Sequence, residues 1–490
     1  MPNMTVERRS TLLQALSLRS AHTLDQVSPE NLFPIPEHVR AMEAEVLLIV
    51  GDRGAGKTEL KNALIDERIR SAVARNSPNV RVPQGKVEWK IGWPLGAKGP
   101  DSTGWRALQV GHQPQEDFAA AWGAYLLRGL AEALTEDERS SVQSVLELAS
   151  VNAVGVTTAH RQAGVNPTGA LDALDARLLR GNRWIFVAYD ELDTVDTRWE
   201  TLGLVIRGLV TFWANYARRW KRIRPKIFLR SDFFKHHRDV AGADVAKLAG
   251  NRVELQWSDA NLYGALLKHI VNKPDASGGY ALRDYFARSV KTRADETLGM
   301  IPVLSTRDEA RPFVDRLASE WMGATQSKGL TFRWILDHLR DGNGRALPRS
   351  LVQLVASAAE IERDHGRAKG GHLLHNVSIR NALDKVSTEY VSQAKSHEFL
   401  WLEGLQARLQ QDRNAPWQRR VLVRLLKANF DGQWSANGAR PPGSSPEEVV
   451  DNLVELGILR ARPGDGDKFD VPDLYLHGLD LTRHGGAAKG

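Results

Sequence analysis

One stretch constrains this chain more than any other: Glu45 to Thr58, reading EVLLIVGDRGAGKT. The apolar run Val46–Val50 requires a buried strand, the glycines after it a tight turn, and Glu59–Ile65 continues as a helix. Gly51-x4-Gly56-Lys57-Thr58 fills every position of the phosphate-binding loop motif. Gly51, Gly54 and Gly56 let the backbone fold inward. The loop amides, Ala55 among them, and the helix N-terminus through Glu59 then form a nest for phosphate oxygens. Lys57 is placed to reach the β- and γ-phosphates, and Thr58 to hold Mg²⁺. A glycine turn beside a surface lysine would need neither the apolar strand nor the helix. A nucleoside triphosphate and Mg²⁺ are the cofactors this stretch predicts.

The second signal is Trp184–Tyr189, a mostly apolar strand that runs into Asp190 and Glu191. Asp190 is predicted to hold or polarise a water on Mg²⁺, and Glu191 to orient and activate the attacking water. Asp193 and Asp196 read as caps of the next helix or as shapers of the metal site. Lys226–Asp232 is the next strand and its end, where ligands sit in open parallel sheets. Ser231 or Arg230 is placed there to sense the γ-phosphate; a buried serine and a salt-bridged arginine are the alternative.

The 490 residues exceed one ordinary core, so several domains are expected. We read a lead-in over 1–42, a nucleotide domain over 43–272 with an insertion near 76–114, a helical lid and helical region over 273–410, and a winged-helix-like domain over 411–484. A flexible tail follows over 485–490. The fold class is therefore α/β, a P-loop parallel sheet followed by helical and winged-helix-like parts. Val87–Ile91 reads as a short strand in the insertion, and 155–168 as loop. The lead-in reads as a cover for adenine or a clamp along the sheet edge. In the winged region, Trp417–Phe430 and Pro446–Leu456 read as helices, and Ile458–Arg460 and Lys468–Val471 as short strands. Pro348 suits a helix start, which puts Arg349 in its first turn, within reach of phosphate.

Cysteine is absent, which excludes disulfides, thiolate zinc sites and cysteine nucleophiles. The polar start and the lack of any long apolar run argue for a soluble, cytoplasmic protein with no membrane partner. The net charge of +7 permits nucleic-acid binding. The densest basic run holds Arg218, Arg219, Lys221, Arg222, Arg224 and Lys226. It reads as a solvated loop, as a surface for duplex DNA or an acidic partner, or as a subunit contact facing a neighbour's nucleotide. The recognition-helix candidate carries Glu447, Glu448, Asp451 and Glu455, a poor face for phosphate.

On Gly51–Thr58, Tyr189–Asp193, Lys226–Asp232 and Pro348–Leu351, the chain resembles AAA+-related ATPases. The nearest are the signal-transducing ATPases with numerous domains (STAND) and the origin-recognition-like ATPases. The resemblance implies ATP on the loop, Mg²⁺ and water handled by Asp190 and Glu191, Ser231 as first sensor and Arg349 as second. It also implies homo-oligomers in which an arginine reaches a neighbour's site, for which Arg218, Arg219 and Arg230 are candidates. Related bacterial ATPases accompany effector proteins in antiphage defence. The leading expectation is a Mg²⁺-dependent ATPase that couples hydrolysis to conformational change and assembly. The rivals are a non-catalytic nucleotide switch or scaffold for a separate effector, and a DNA-binding regulator.

Overall fold

In the computed structural model the described residues are 4–17, 28–77, 79, 81–95, 100, 102–109, 114–147, 153–161, 167–196, 198–238, 250–436, 438–462 and 464–484. They divide into a sheet unit, Pro34–Gln256, and a second unit made of Met1–Phe33 and Trp257–Gly490.

The sheet unit is built on five parallel strands: β1 (Leu48–Gly51), β2 (Lys86–Trp93), β3 (Arg183–Tyr189), β4 (Ile223–Arg230) and β5 (Arg252–Glu254). Their order is β2-β3-β4-β1-β5. Every residue of β1 and β4 is buried, as parallel strands covered on both faces must be. Ile185, Val187, Tyr189, Ile227 and Leu229 form one face and pack with Trp122, Val205, Leu209 and Trp213 in a single core. The Trp122 indole donates to the Val205 carbonyl at 2.9 Å, pinning two covering helices together. The order brings the C-terminal ends of β3, β4 and β1 side by side, and the three sequence motifs occupy those ends.

The second unit has its own core. The helices Asp259–Val271, Thr331–Leu339, Pro348–His365 and Asn376–His397 place Leu262, Leu266, Ile335, Leu351, Leu354 and Ile379 in it. Here β6 (Thr292–Asp295) and β7 (Gly299–Pro302) pair as an antiparallel hairpin. The C-terminal part holds β8 (Asn414–Ala415), β9 (Trp417–Gln418), β10 (Arg460–Arg462), β11 (Asp465–Asp470) and β12 (Thr482–Arg483). A three-stranded sheet, β10-β11-β9, stands with the helices Arg419–Lys427 and Pro446–Glu455 around Trp417, Leu422, Val450 and Phe469. The molecule is thus a P-loop NTPase parallel sheet, followed in the chain by a helical region corresponding in order to a lid, then a winged-helix-like part.

Several expectations are corrected. Within 76–114 the strand expected at Val87–Ile91 is present and longer: β2 is an eight-residue member of the main sheet, paired with β3 along its length. Its alternation of Lys86, Glu88 and Lys90 with Val87, Trp89 and Ile91 is that of a sheet-edge strand, half exposed. Ser102–Gln109, expected as loop, is a helix that buries Trp105 fully. Part of 155–168 is likewise helical, in Ala153–His160. The domain boundaries move from 42/43 to 33/34 and from 272 to 256/257. The lead-in divides: Leu12, Leu13 and Leu16 of the Val6–Ser17 helix enter the second unit's core, and 34–42 belongs to the sheet unit. Asp259–Val271 also belongs to the second core, because its apolar face meets Phe313, Leu336 and Leu354 there. Trp417 and Gln418 form a strand rather than the start of a helix. The tail expected at 485–490 lies outside the described residues.

Candidate functional site

The loop after β1 leads directly into the Lys57–Ile65 helix. Gly54 has φ 83° and Gly56 φ 91°, left-handed values that glycine adopts without strain. Ala55 is fully buried beneath the loop. The Lys57 ammonium folds back to donate to the carbonyls of Gly51 at 2.8 Å and Asp52 at 3.0 Å. Desolvation lowers the Lys57 pKa, and the nearby Arg230 guanidinium lowers it further; Asp190, Asp193 and Asp232 oppose both. A phosphate entering the loop supplies the negative charge that favours this ammonium. Thr58 and Glu59 lie in the helix's first turn, with Thr58 next to Lys57 as metal binding requires.

The two carboxylates of the acidic pair lie in different surroundings. Asp190 is 2% exposed and its backbone N–H donates to the Trp93 carbonyl at 3.2 Å, tying the end of β3 to β2. Glu191 is exposed, with φ 52° and ψ 33°, a left-handed backbone that costs a glutamate on the order of 1 kcal/mol. This kink turns two adjacent carboxylates into different surroundings. Lys61 approaches Asp190 Oδ2 at 3.2 Å, the side chains being 12% and 3% exposed. No hydrogen-bond donor among the described residues is aimed at that oxygen. A buried carboxylate oxygen with charge compensation but no directed donor fits a metal-bound water. Among the described residues no cluster of three or more His, Asp or Glu ligands stands ready. Mg²⁺ bound with nucleotide needs only one or two protein ligands.

At the end of β4, Arg230 is 7% exposed and bonds Asp232 at 2.6 and 3.1 Å and Asp193 at 3.3 Å. It thus ties β4 to the turn after β3, with its guanidinium 4.7 Å from the Phe233 ring centre. This internal pairing removes Arg230 as a candidate for reaching a neighbour's nucleotide. Ser231, 4% exposed, opens the Ser231–Arg238 helix directly after β4. Asp196 is held by Arg106 at 2.6 and 2.7 Å and accepts from the Arg198 N–H at 2.8 Å, a structural anchor rather than a metal shaper. Arg349 is the second residue of the Pro348–His365 helix, half-buried, in the other unit.

The basic run is not one surface. Lys226 is 1% exposed and donates to the carbonyls of Ala41, Glu43 and Val46 at 2.6–2.7 Å. Burial, then Arg224, pushes its pKa down to about 7. Arg224 is buried beside it. Both are therefore withdrawn from any duplex-binding face: β4 is a central strand, and alternate residues of the run point into its covering layer. Arg219 pairs with Asp172, and Arg222 lies 4.1 Å over the Trp184 ring. Only Arg218, Arg219 and Lys221 are exposed. On the Pro446–Glu455 helix, Asp451 binds Arg419 at 2.7 and 2.8 Å.

The residue that sequence reasoning missed is Lys61. Its signal was present: Lys57 and Lys61 are four apart and share one helix face.

No family model matches the chain, and no curated protein matches it. Among solved structures it is similar to the Aeropyrum pernix ORC2 protein in its ADPNP-ADP complexes, at 14% identity over 98% of this chain and 94% of that one, TM-score 0.36. The Aeropyrum pernix ORC1 protein in complex with DNA is 13% identical over 96% and 95%, TM-score 0.36. Drosophila ORC bound to DNA is 11% identical over 98% and 93%, TM-score 0.29.

Proposed function

We propose that the protein binds Mg-ATP on the Gly51–Thr58 loop and hydrolyses it. The observation that carries this reading is the junction of that loop, after β1, with a split acidic pair after β3, one carboxylate buried and one exposed, the two strand ends flanking that of β4. The loop amides and Lys57 bind the phosphates. Thr58 and Asp190 would hold Mg²⁺, which supplies charge neutralisation at the phosphates when bound. Glu191 takes a proton from the attacking water. Ser231 is the proposed sensor of the γ-phosphate. Hydrolysis is proposed to be coupled to conformational change and assembly, with a homo-oligomer or a separate effector protein as the recipient, in a bacterial defence setting. Single-turnover hydrolysis by wild-type protein and Glu191→Gln tests the chemistry. A protein that binds Mg-ATP and never converts it would be a nucleotide switch instead.

A further inference from the structure

A second site lies at the opposite edge of the sheet from the glycine loop. The strand starts meet there: Leu47 precedes β1, Trp184 and Arg224 are second in β3 and β4, and Asn251 precedes β5. These residues line a cleft of about 580 Å³ with Glu45, Arg218 and Lys221. Arg224 and Arg230 are six positions apart on β4, roughly 20 Å at strand rise, so this cleft is separate from the nucleotide site.

Its floor is a buried guanidinium. Arg224 is 9% exposed; Nε donates to the Ala44 carbonyl at 3.1 Å, and Nη1 to the carbonyls of Ala217 and Trp220. Nη2 has no hydrogen-bond partner among the described residues and is left to the cleft, where burial works against the charge. The rim is rigid. The Asp175 carboxylate accepts from the backbone N–H groups of Lys221, Arg222 and Ile223 at 2.7–2.9 Å. That fixes the turn carrying the exposed Arg218 and Lys221. Of the residues lining the cleft, Arg218, Lys221 and Arg224 are cationic and Glu45 alone is acidic, with Asp175 behind the turn also acting on Arg224. The ring of Trp184 lies parallel to Phe186 within 7° and carries Arg222 over its face, so it offers no free face for stacking a base. Alanine walls at 44, 214 and 217, with Leu47, suit an aliphatic side chain instead.

We propose that this cleft binds an acidic peptide segment of a partner protein, with one Asp or Glu carboxylate on Arg224 and flanking carboxylates on Arg218 and Lys221. Glu45 and Asn251 then meet peptide N–H and C=O groups. The test is fluorescence anisotropy of a short labelled peptide alternating glutamate and leucine, titrated without nucleotide, so that its outcome does not depend on the ATPase reading. Arg218→Glu/Lys221→Glu, both exposed and outside the core, should weaken binding at least about tenfold. The control Arg68→Glu/Arg161→Glu, at exposed arginines outside the cleft, should not. Arg224→Gln, checked for folding by circular dichroism, should abolish binding. Equal loss in the rim and control variants would overturn the proposal. So would no binding by the wild type, or tighter binding of a single-stranded oligonucleotide through the same two rim residues.

Discussion

Lys57 and Lys61 stand on one helix face with different tasks, and single substitutions separate them. Lys57→Ala removes the ammonium that compensates phosphate charge. It should lose most ATP affinity by calorimetry while circular dichroism remains that of the wild type. Lys61→Met removes the cation nearest the buried Asp190, leaving Lys57 as the other ammonium that acts on it. Stranding a buried charge costs about 3 kcal/mol or more, so urea denaturation of this variant should shift clearly downward without nucleotide. Adding Asp190→Asn should restore much of that loss, and a double variant no better than Lys61→Met alone would show that the pair is not coupled.

At the scale of elements, β4 explains why the basic run resisted a sequence reading. Its composition looks like one cationic patch, but the strand buries Arg224 and Lys226, while Arg219, in the turn before it, stays at the surface. Lys226→Ala leaves three carbonyls without their donor and should destabilise by about 2–4 kcal/mol in chemical denaturation, whereas Arg219→Ala should cost under about 1 kcal/mol. The glycine loop and the ends of β1 and β3 were legible because apolar runs and fixed spacings encode them locally. β2 was only partly legible, since an edge strand with alternating charges carries a weak apolar signal. The pairing of Arg230 with Asp193 and Asp232, and of Arg106 with Asp196, joins residues whose partnership only the folded sheet creates.

Across the whole molecule, each unit carries a histidine that resists protonation, His38 buried and His269 partly so. Burial lowers the pKa of His38 in the sheet unit to about 4, and burial with Lys273 does the same to His269 in the second unit. Between pH 6.5 and 4 the unfolded chain takes up protons that these rings refuse, so stability falls as pH falls through that window. Each ring accounts for about 3 kcal/mol at most by its shift. Fluorescence-monitored unfolding should show the slope, and His38→Phe should flatten it. The central claim concerns what the sheet unit does with nucleotide. Single-turnover hydrolysis of Mg-ATP, with wild type and Glu191→Gln compared at saturating protein, tests it most directly. The account predicts conversion by the wild type and equal binding but about 100-fold or more slower conversion by Glu191→Gln. Equal rates for the two proteins, or a wild type that does not bind Mg-ATP, would contradict it.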